Sequence, residues 1–393
     1  MVKISIIASD LSSSGAGRWG GGVRPFLLSQ ALKKIGCDVE ILGFVDANSP
    51  INISHPEIFI IPIYTNYTKK YYPGFLLSAK ELLEKISGDI IYAYKLKPSS
   101  LGLALIKKMQ TSCPVFLDID DWELSWYGGN YWKYRPSIKQ LARDILKPEG
   151  ALRQPDHPFY LKWIESLVSK SDQVTLHSQF LKKRFGGIYL PNGKDTTLFD
   201  PNKYDPEVSR THYGLSDYRI LMFPGAPRPY KGVEDVLIAL DKLNQKDLRL
   251  VIVGGSPYDD YDRKLKEKWG RWIIQMAKYP PTVMPEIVAA AHIIVVPQRD
   301  TPEAQAQFPL KLTDGMAMSK PIIATRVGDI PEIVGDTGYL VEPSSPQQIA
   351  AKIELIFNDL TAANSQGIKA RERCIKYYSI DAMATILLDL IRI

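Results

Sequence analysis

Continuous apolar runs alternate along the whole chain with stretches in which apolar positions recur every three or four residues. In the first half the runs are KISIIAS (3–9), VEILGF (39–44), IFIIPI (58–63), DIIYAY (89–94), PVFLDI (114–119) and QVTLHS (173–178). Strands alternating with amphipathic helices predict a parallel sheet covered by helices. VRPFLLSQALKKIG (23–36) reads as one such helix, with a proline in its first turn, where the missing N–H costs nothing, and a glycine stop. A second series follows residue 190: RILMFPG (219–225), LRLVIVGG (248–255), HIIVVPQ (292–298), PIIATRV (321–327) and GYLVEP (338–343). Two α/β units in tandem are expected, joined through the turn-rich LPNGKDTTLFDP (190–201). The expected domains are 1–190 and 191–375, followed by a closing helical segment, 376–393, that packs back toward the first. No repeat of 20 to 50 residues interrupts this pattern.

Composition narrows the class. A chain of 393 residues with 45% hydrophobic and 23% charged content is long enough for two cores and is not disordered in character. Cys37, Cys113 and Cys374 are too few and too scattered for a disulfide framework or a zinc site, which predicts a reducing compartment. MVKISIIAS reads as a first strand, not a signal peptide, and no stretch reaches the ~18 apolar residues of a membrane span. The cytoplasm is therefore the expected location. Residues 1–190 carry 24 Lys+Arg against 17 Asp+Glu, whereas the remainder is almost neutral. A basic half suits an anionic partner such as a membrane surface, a nucleic acid or a phosphorylated substrate, and it suits plain solvation equally.

One short stretch suggests a different function. In GAGRWGGG (15–22), Gly15, Gly17 and Gly20 spell the G-x-G-x-x-G of a dinucleotide loop. That fingerprint needs its first glycine at the end of the strand, yet five residues, DLSSS, intervene. Its acidic partner should end the second strand; Glu40 lies near the start of VEILGF and Asp46 beyond its end. A dehydrogenase is thus disfavoured, and no Walker sequence occurs. Three glycines in succession before a helix still offer a backbone that a phosphate or sugar can approach closely, with Gly21 and Gly22 as candidates. A surface loop without function is the alternative.

The second half holds more specific signals: LPNGKDTTLFDP (190–201), FPGAPRPYKGVEDVLIAL (223–240) and FPLKLTDGMAMSKPIIATRVGDIPEIV (308–334), closing with GYLVEP. In this order and spacing they resemble glycosyltransferase family 4. The resemblance implies an α/β protein of the GT-B fold, two Rossmann-like α/β/α domains facing each other across a cleft, and a retaining enzyme that uses a sugar-nucleotide donor. Transfer from such a donor creates a diphosphate whose charge, without a metal, must be met by cations and helix N-termini. Lys231 matches the family lysine on that diphosphate. The family arginine is replaced by Ala226, which makes Arg228 the expected substitute. Asp314 aligns with the family glutamate that accepts from the ribose hydroxyls, and Leu310 and Lys311 with the turn whose backbone N–H groups reach the distal phosphate. The glutamate that contacts the transferred sugar is replaced by Ala306, leaving Gln307 or Glu303 to take its role. Met284, beside Glu286, is the candidate for nucleobase recognition through the backbone.

In the first half, DIDDW puts Asp120 where many relatives carry a histidine near the reacting carbon. A carboxylate there can stabilise developing positive charge or accept a proton, and the change is also compatible with lost activity. Clustered Asp118, Asp120 and Asp121 could suggest a metal, but the family works without one, and none is expected. The aromatic stretches YTNYTKKYYPGFLL (64–77) and WELSWYGGNYWKYRP (122–136), interleaved with cations, suit sugar stacking, a membrane interface or packing under a long loop. The resulting expectation is a cytoplasmic, metal-independent, retaining glycosyltransferase, peripheral at the inner face of the membrane at most, with no nucleic-acid partner. It would move a hexose, glucose by preference, from a UDP-sugar to a saccharide or lipid-linked acceptor in polysaccharide or glycoconjugate biosynthesis. A catalytically silent nucleotide-sugar-binding scaffold, or an epimerase or hydrolase on the same fold, is the alternative.

Overall fold

A computed structural model describes residues 1–12, 23–49, 59–255 and 259–391. The GAGRWGGG stretch, with Gly21 and Gly22, lies outside them. The described chain divides into two compact units, one taking the residues up to Pro191 and those from Ala384 onward, the other Asn192–Met383.

The first unit is a seven-stranded parallel sheet of β1 (Lys3–Ala8), β2 (Asp38–Asp46), β3 (Phe59–Thr65), β4 (Ile90–Tyr94), β5 (Val115–Ile119), β6 (Gln173–Leu176) and β7 (Ile188–Tyr189) in the order β3-β2-β1-β4-β5-β6-β7. Its helices are α1 (Val23–Lys34), α2 (Phe75–Lys85), α3 (Leu103–Thr111), α4 (Ile138–Leu146), α5 (Pro158–Glu165) and α6 (Gln179–Phe185). A buried ion pair ties α1 to the sheet: Arg24 donates through Nε and Nη2 to the two carboxylate oxygens of Asp118 at 2.9 and 2.8 Å, and also to the Leu190 carbonyl. Thr175 Oγ1 donates to the same carboxylate, so every charge in this pair has a hydrogen-bonded partner, as burial requires.

The second unit repeats the plan with β8 (Arg219–Pro224), β9 (Leu248–Val253), β10 (Ile273–Met276), β11 (Ile293–Val296), β12 (Ile322–Thr325) and β13 (Tyr339–Val341), ordered β10-β9-β8-β11-β12-β13 and all parallel. Its helices are α7 (Pro206–His212), α8 (Val233–Leu243), α9 (Tyr261–Trp269), α10 (Met284–Ala289), α11 (Pro302–Ala306), α12 (Leu310–Ala317), α13 (Ile330–Val334), α14 (Pro346–Asn358) and α15 (Leu360–Tyr378), and the last helix, α16 (Ile380–Ile391), begins in this unit and belongs to the first from Ala384 onward. Successive strand residues pack into opposite apolar layers: Ile220, Met222, Val251, Ile294 and Val296 on one side, Leu221, Phe223, Ile252, Ile293 and Val295 on the other. Both faces are covered, which is why these strands are apolar over most of their length, Arg219, Arg249, Gln275 and Thr325 apart, and do not alternate.

In each sheet the strand order reverses beside the first strand, between β1 and β4 and between β8 and β11. Loops at the carboxyl ends of those strands diverge and leave a crevice that ligands can enter. Two sequence expectations change here, the place of Asp46 and the list of strands, while Glu40 lies near the start of the second strand as expected. Strand β2 runs on to Asp46, so Asp46 ends it and does not lie beyond it; its carboxylate is paired with Lys70. Glu40 is fixed structurally by Lys3, Ser5 and Ser87. Strands β7 and β10 were not anticipated, because two and four partly exposed residues are too few to make a periodic signal.

Candidate active site

The second unit's crevice is built around the loop after β8. Gly232 ends a helical turn, Pro229–Lys231, with φ +66°, and a Cβ there would stand 1.8 Å from the Pro297 carbonyl oxygen at the end of β11. Only glycine permits that approach, and it closes the loop over the strand reversal. The turn points Lys231 back along the loop, where its Nζ donates to the Ala226 carbonyl at 2.9 Å. Burial first, and then the charges of Lys311 and Arg228, hold the Lys231 ammonium well below its ordinary pKa. Lys311 is itself buried, packed beneath Gly225 with its ammonium 4.7 Å from the centre of the Phe223 ring. The sequence pointed to the backbone N–H groups at Leu310 and Lys311; these occupy the first turn of α12, whose orphan N–H groups favour an anion. It did not point to the Lys311 side chain as a third member of the cationic cluster.

Other candidates lie close by in the fold with other engagements. Gln307 follows α11 and shares hydrogen bonds with the Tyr230 hydroxyl at 3.1 and 3.4 Å, which attaches it to the Lys231 turn. Ala306 is completely buried. Asp314 has no exposed surface, and its carboxylate is held by Lys194 of the NGKD segment, a partner the sequence reading did not foresee. The Lys194 ammonium also lies 4.2 Å from the centre of the Phe199 ring, and its backbone bridges to Tyr378 and Ile380. Met284 opens α10 with its side chain in the core and its N–H bonded to Pro281. Glu286 is turned onto His212 Nδ1 (2.7 Å) and the Tyr213 hydroxyl (3.2 Å).

The first unit's crevice holds a denser ionic cluster at the ends of β4, β5 and β6. Asp120, one residue beyond β5, accepts from the Tyr94 hydroxyl and is paired with Lys95 Nζ at 3.1 Å. Lys95 also meets Glu123 at 2.9 Å, and Lys97 meets the other Glu123 oxygen at 3.3 Å. Lys95 has φ +76°, a left-handed conformation that a side-chain-bearing residue keeps only where its surroundings enforce it. Asp120 titrates below the usual carboxylate range despite burial, owing to Lys95, His177 and the Tyr94 hydroxyl. Asp121 behaves oppositely: burial, with Glu123 and Asp120 beside it, raises it to about 7 against the pull of Lys95. One Asp121 oxygen accepts from Trp126 Nε1 at 3.0 Å, and the other has no hydrogen-bond partner among the described residues. Two adjacent carboxyls thus differ in protonation near neutrality, which is the arrangement that separates acid from base chemistry. Asp118, Asp120 and Asp121 are directed to separate partners, and no metal-holding cluster occurs among the described residues. Sequence reasoning found Asp120 but missed Lys95 and the buried His177, which only the parallel alignment of strand ends brings to it.

Residues 218–359 match the family model described as glycosyl transferases group 1. The chain is 26% identical over 224 residues to the GDP-mannose-dependent alpha-(1-6)-phosphatidylinositol monomannoside mannosyltransferase of Mycolicibacterium smegmatis, a match that takes in 53% of this chain and 59% of that one. It is 23% identical to the N-acetyl-alpha-D-glucosaminyl L-malate synthase of Bacillus anthracis, over 95% of this chain and 94% of that protein. Among solved structures, sucrose-phosphate synthase from Thermosynechococcus elongatus superposes with a TM-score of 0.74 at 20% identity, covering 100% and 98% of the two chains. HepE of Anabaena in complex with UDP-glucose gives 0.74 at 16% identity over the whole of both chains. No helix among the described residues is long and apolar enough to cross a membrane.

Proposed function

Starting from a chain of the GT-B fold that is like glycosyltransferase family 4, we propose that it is a retaining, metal-independent glycosyltransferase with a nucleoside diphosphate sugar as donor. The observation that carries this reading is the cluster of Lys231, Lys311 and Arg228 at the end of β8, where burial and mutual repulsion leave Lys231 in want of an anion. A diphosphate is the ligand whose charge would restore that lysine to its ordinary protonation. Lys231 and Arg228 would meet the diphosphate, the N–H groups of Leu310 and Lys311 its distal phosphate, Gln307 the sugar, and the backbone at Met284 the base. The first unit would take a saccharide or lipid-linked acceptor, with Asp120 stabilising positive charge near the reacting carbon. UDP-glucose is our preferred donor: HepE is a structural neighbour solved with that ligand, whereas the M. smegmatis relative is named for GDP-mannose.

Calorimetric titration with UDP, GDP, UDP-glucose, GDP-mannose and NAD in the presence of EDTA, followed by mass analysis of the donor mixture, tests the reading. Selective binding of UDP and its sugar, with release of free sugar, is the expected result; binding of NAD alone would overturn it. A second reading is favoured by Ala306 and by the burial of Asp314 against Lys194: a nucleotide-sugar-binding scaffold that leaves the donor intact. An intact donor after incubation with saccharide and lipid-linked acceptors would select it.

A further inference from the structure

Helix α4 is oriented the wrong way round for a surface helix. Its sequence, IKQLARDIL, puts Ile138, Leu141, Ile145 and Leu146 on one stripe, and such a stripe ordinarily faces the core. Here these four are 90%, 38%, 48% and 74% exposed, and the one buried residue of the helix is the charged Asp144. The helix is held by polar tethers. Tyr134 donates its hydroxyl to Asp144 at 2.7 Å, Arg143 approaches the same carboxylate at 3.4 Å, and the Ser137 hydroxyl caps the Gln140 N–H. Gly150 lets the chain close against the Asp144 carbonyl, where a Cβ would stand at 2.1 Å. The Arg143 and Ser137 contacts are internal to the helix and its cap; Tyr134 and Gly150 hold its Asp144 side inward and so leave the apolar stripe outward.

The stripe is not isolated. Tyr134, which holds Asp144, packs its ring at a tilt against Phe159, with the centroids 6.2 Å apart, and Phe159 and Trp163 stand one turn apart on α5, each about half exposed. Tyr131, at the head of the segment, is almost wholly exposed. The charges around this surface are mostly positive: between residues 131 and 149 the chain carries Lys133, Arg135, Lys139, Arg143 and Lys147 against the buried Asp144 and the exposed Glu149.

We propose that the outward apolar face of α4, extended by Phe159 and Trp163, docks on an anionic lipid surface. A short helix with an exposed apolar stripe, flanking lysines and arginines, and neighbouring aromatic rings is what lies in the plane of a bilayer interface, its apolar side below the headgroups and its cations among them. A second copy of the same face would bring five cations against five, so self-pairing is opposed by the charge that favours lipid. The aromatic stretches expected to do this from sequence are only partly involved: Trp122 is buried under Arg184 and Phe180, and the helix just after that stretch is the principal element.

The test is sedimentation of the whole chain with vesicles of phosphatidylcholine alone and of phosphatidylcholine mixed with phosphatidylglycerol. The protein should pellet with the mixed vesicles and be released by salt. The paired variants Ile138→Gln with Leu146→Gln, and Lys139→Gln with Lys147→Gln, should each lower the partition coefficient by about tenfold or more. All these side chains are exposed, so unchanged melting curves and unchanged UDP binding are expected and separate this surface from the donor site. Absence of pelleting, equal pelleting with neutral vesicles, or full retention by the Ile138/Leu146 pair would overturn the proposal. So would a concentration-dependent dimer that this pair dissolves while vesicles are ignored.

Discussion

Replacing Lys231 with methionine should stabilise the ligand-free protein and at the same time remove its affinity for UDP. In the folded chain the Lys231 pKa lies well below 10.5, because of burial and then Lys311 and Arg228. The unfolded chain keeps the proton up to its ordinary pKa, so between the two values the unfolded state binds more protons and stability rises with pH. Below that window the group costs its full penalty, and each unit of depression corresponds to ~1.4 kcal/mol. Methionine has similar volume and no charge. Removing the penalty should raise the melting temperature by ~2–4 °C per kcal/mol recovered for a unit of this size. Binding of a diphosphate should return the pKa toward normal, so that UDP binding takes up a proton and affinity falls up to ~10-fold per pH unit within the window. Calorimetry in two buffers of different ionisation enthalpy counts that proton, and the variant should lose it together with at least ~2 kcal/mol of affinity, or ~30-fold. A variant that melts below the wild type, or that binds UDP as tightly with no change in proton uptake, would refute the reasoning.

The remaining expectations concern single groups. Asp121→Asn should raise stability above about pH 4, since burial lifts the carboxyl to about 7 and its ionisation on the way costs folding energy, and it should flatten any change of turnover with pH near neutrality; thermal melts and rate profiles at several pH values read both. Asp314→Ala leaves the buried Lys194 ammonium unpaired and should cost ~3–5 kcal/mol in denaturant titrations, whereas Lys194→Met combined with Asp314→Leu should restore most of it. If the double variant regains stability but not UDP binding, the pair serves the donor as well as the fold. His292 accepts the Ile220 N–H through Nδ1 and is depressed to about 4 by burial and by Arg210 and Lys320. Its contribution is fully present above pH 6.5 and is lost as pH falls toward 4, worth ~3 kcal/mol over that span; His292→Gln should remove that segment of the acid-unfolding curve.

Much of the fold of this molecule is legible in its sequence. Eleven of its strands announced themselves as apolar runs, because a parallel sheet buried on both faces allows no polar alternation. Lys231, Arg228, Gln307 and the backbone at Lys311 were picked out by the resemblance to glycosyltransferase family 4, whose motifs are short and local, whereas the Lys311 side chain was not. Tertiary structure decided what depends on residues distant in sequence: that Lys194 neutralises Asp314 across 120 positions, that Arg24 claims Asp118, and that Lys95 and His177 meet Asp120 from neighbouring strand ends. It also decided that the apolar stripe of α4 faces outward. The heptad-like spacing of Ile138, Leu141 and Ile145 specifies a helix with an apolar side, but only the tethers at Tyr134 and Gly150 determine which way that side points.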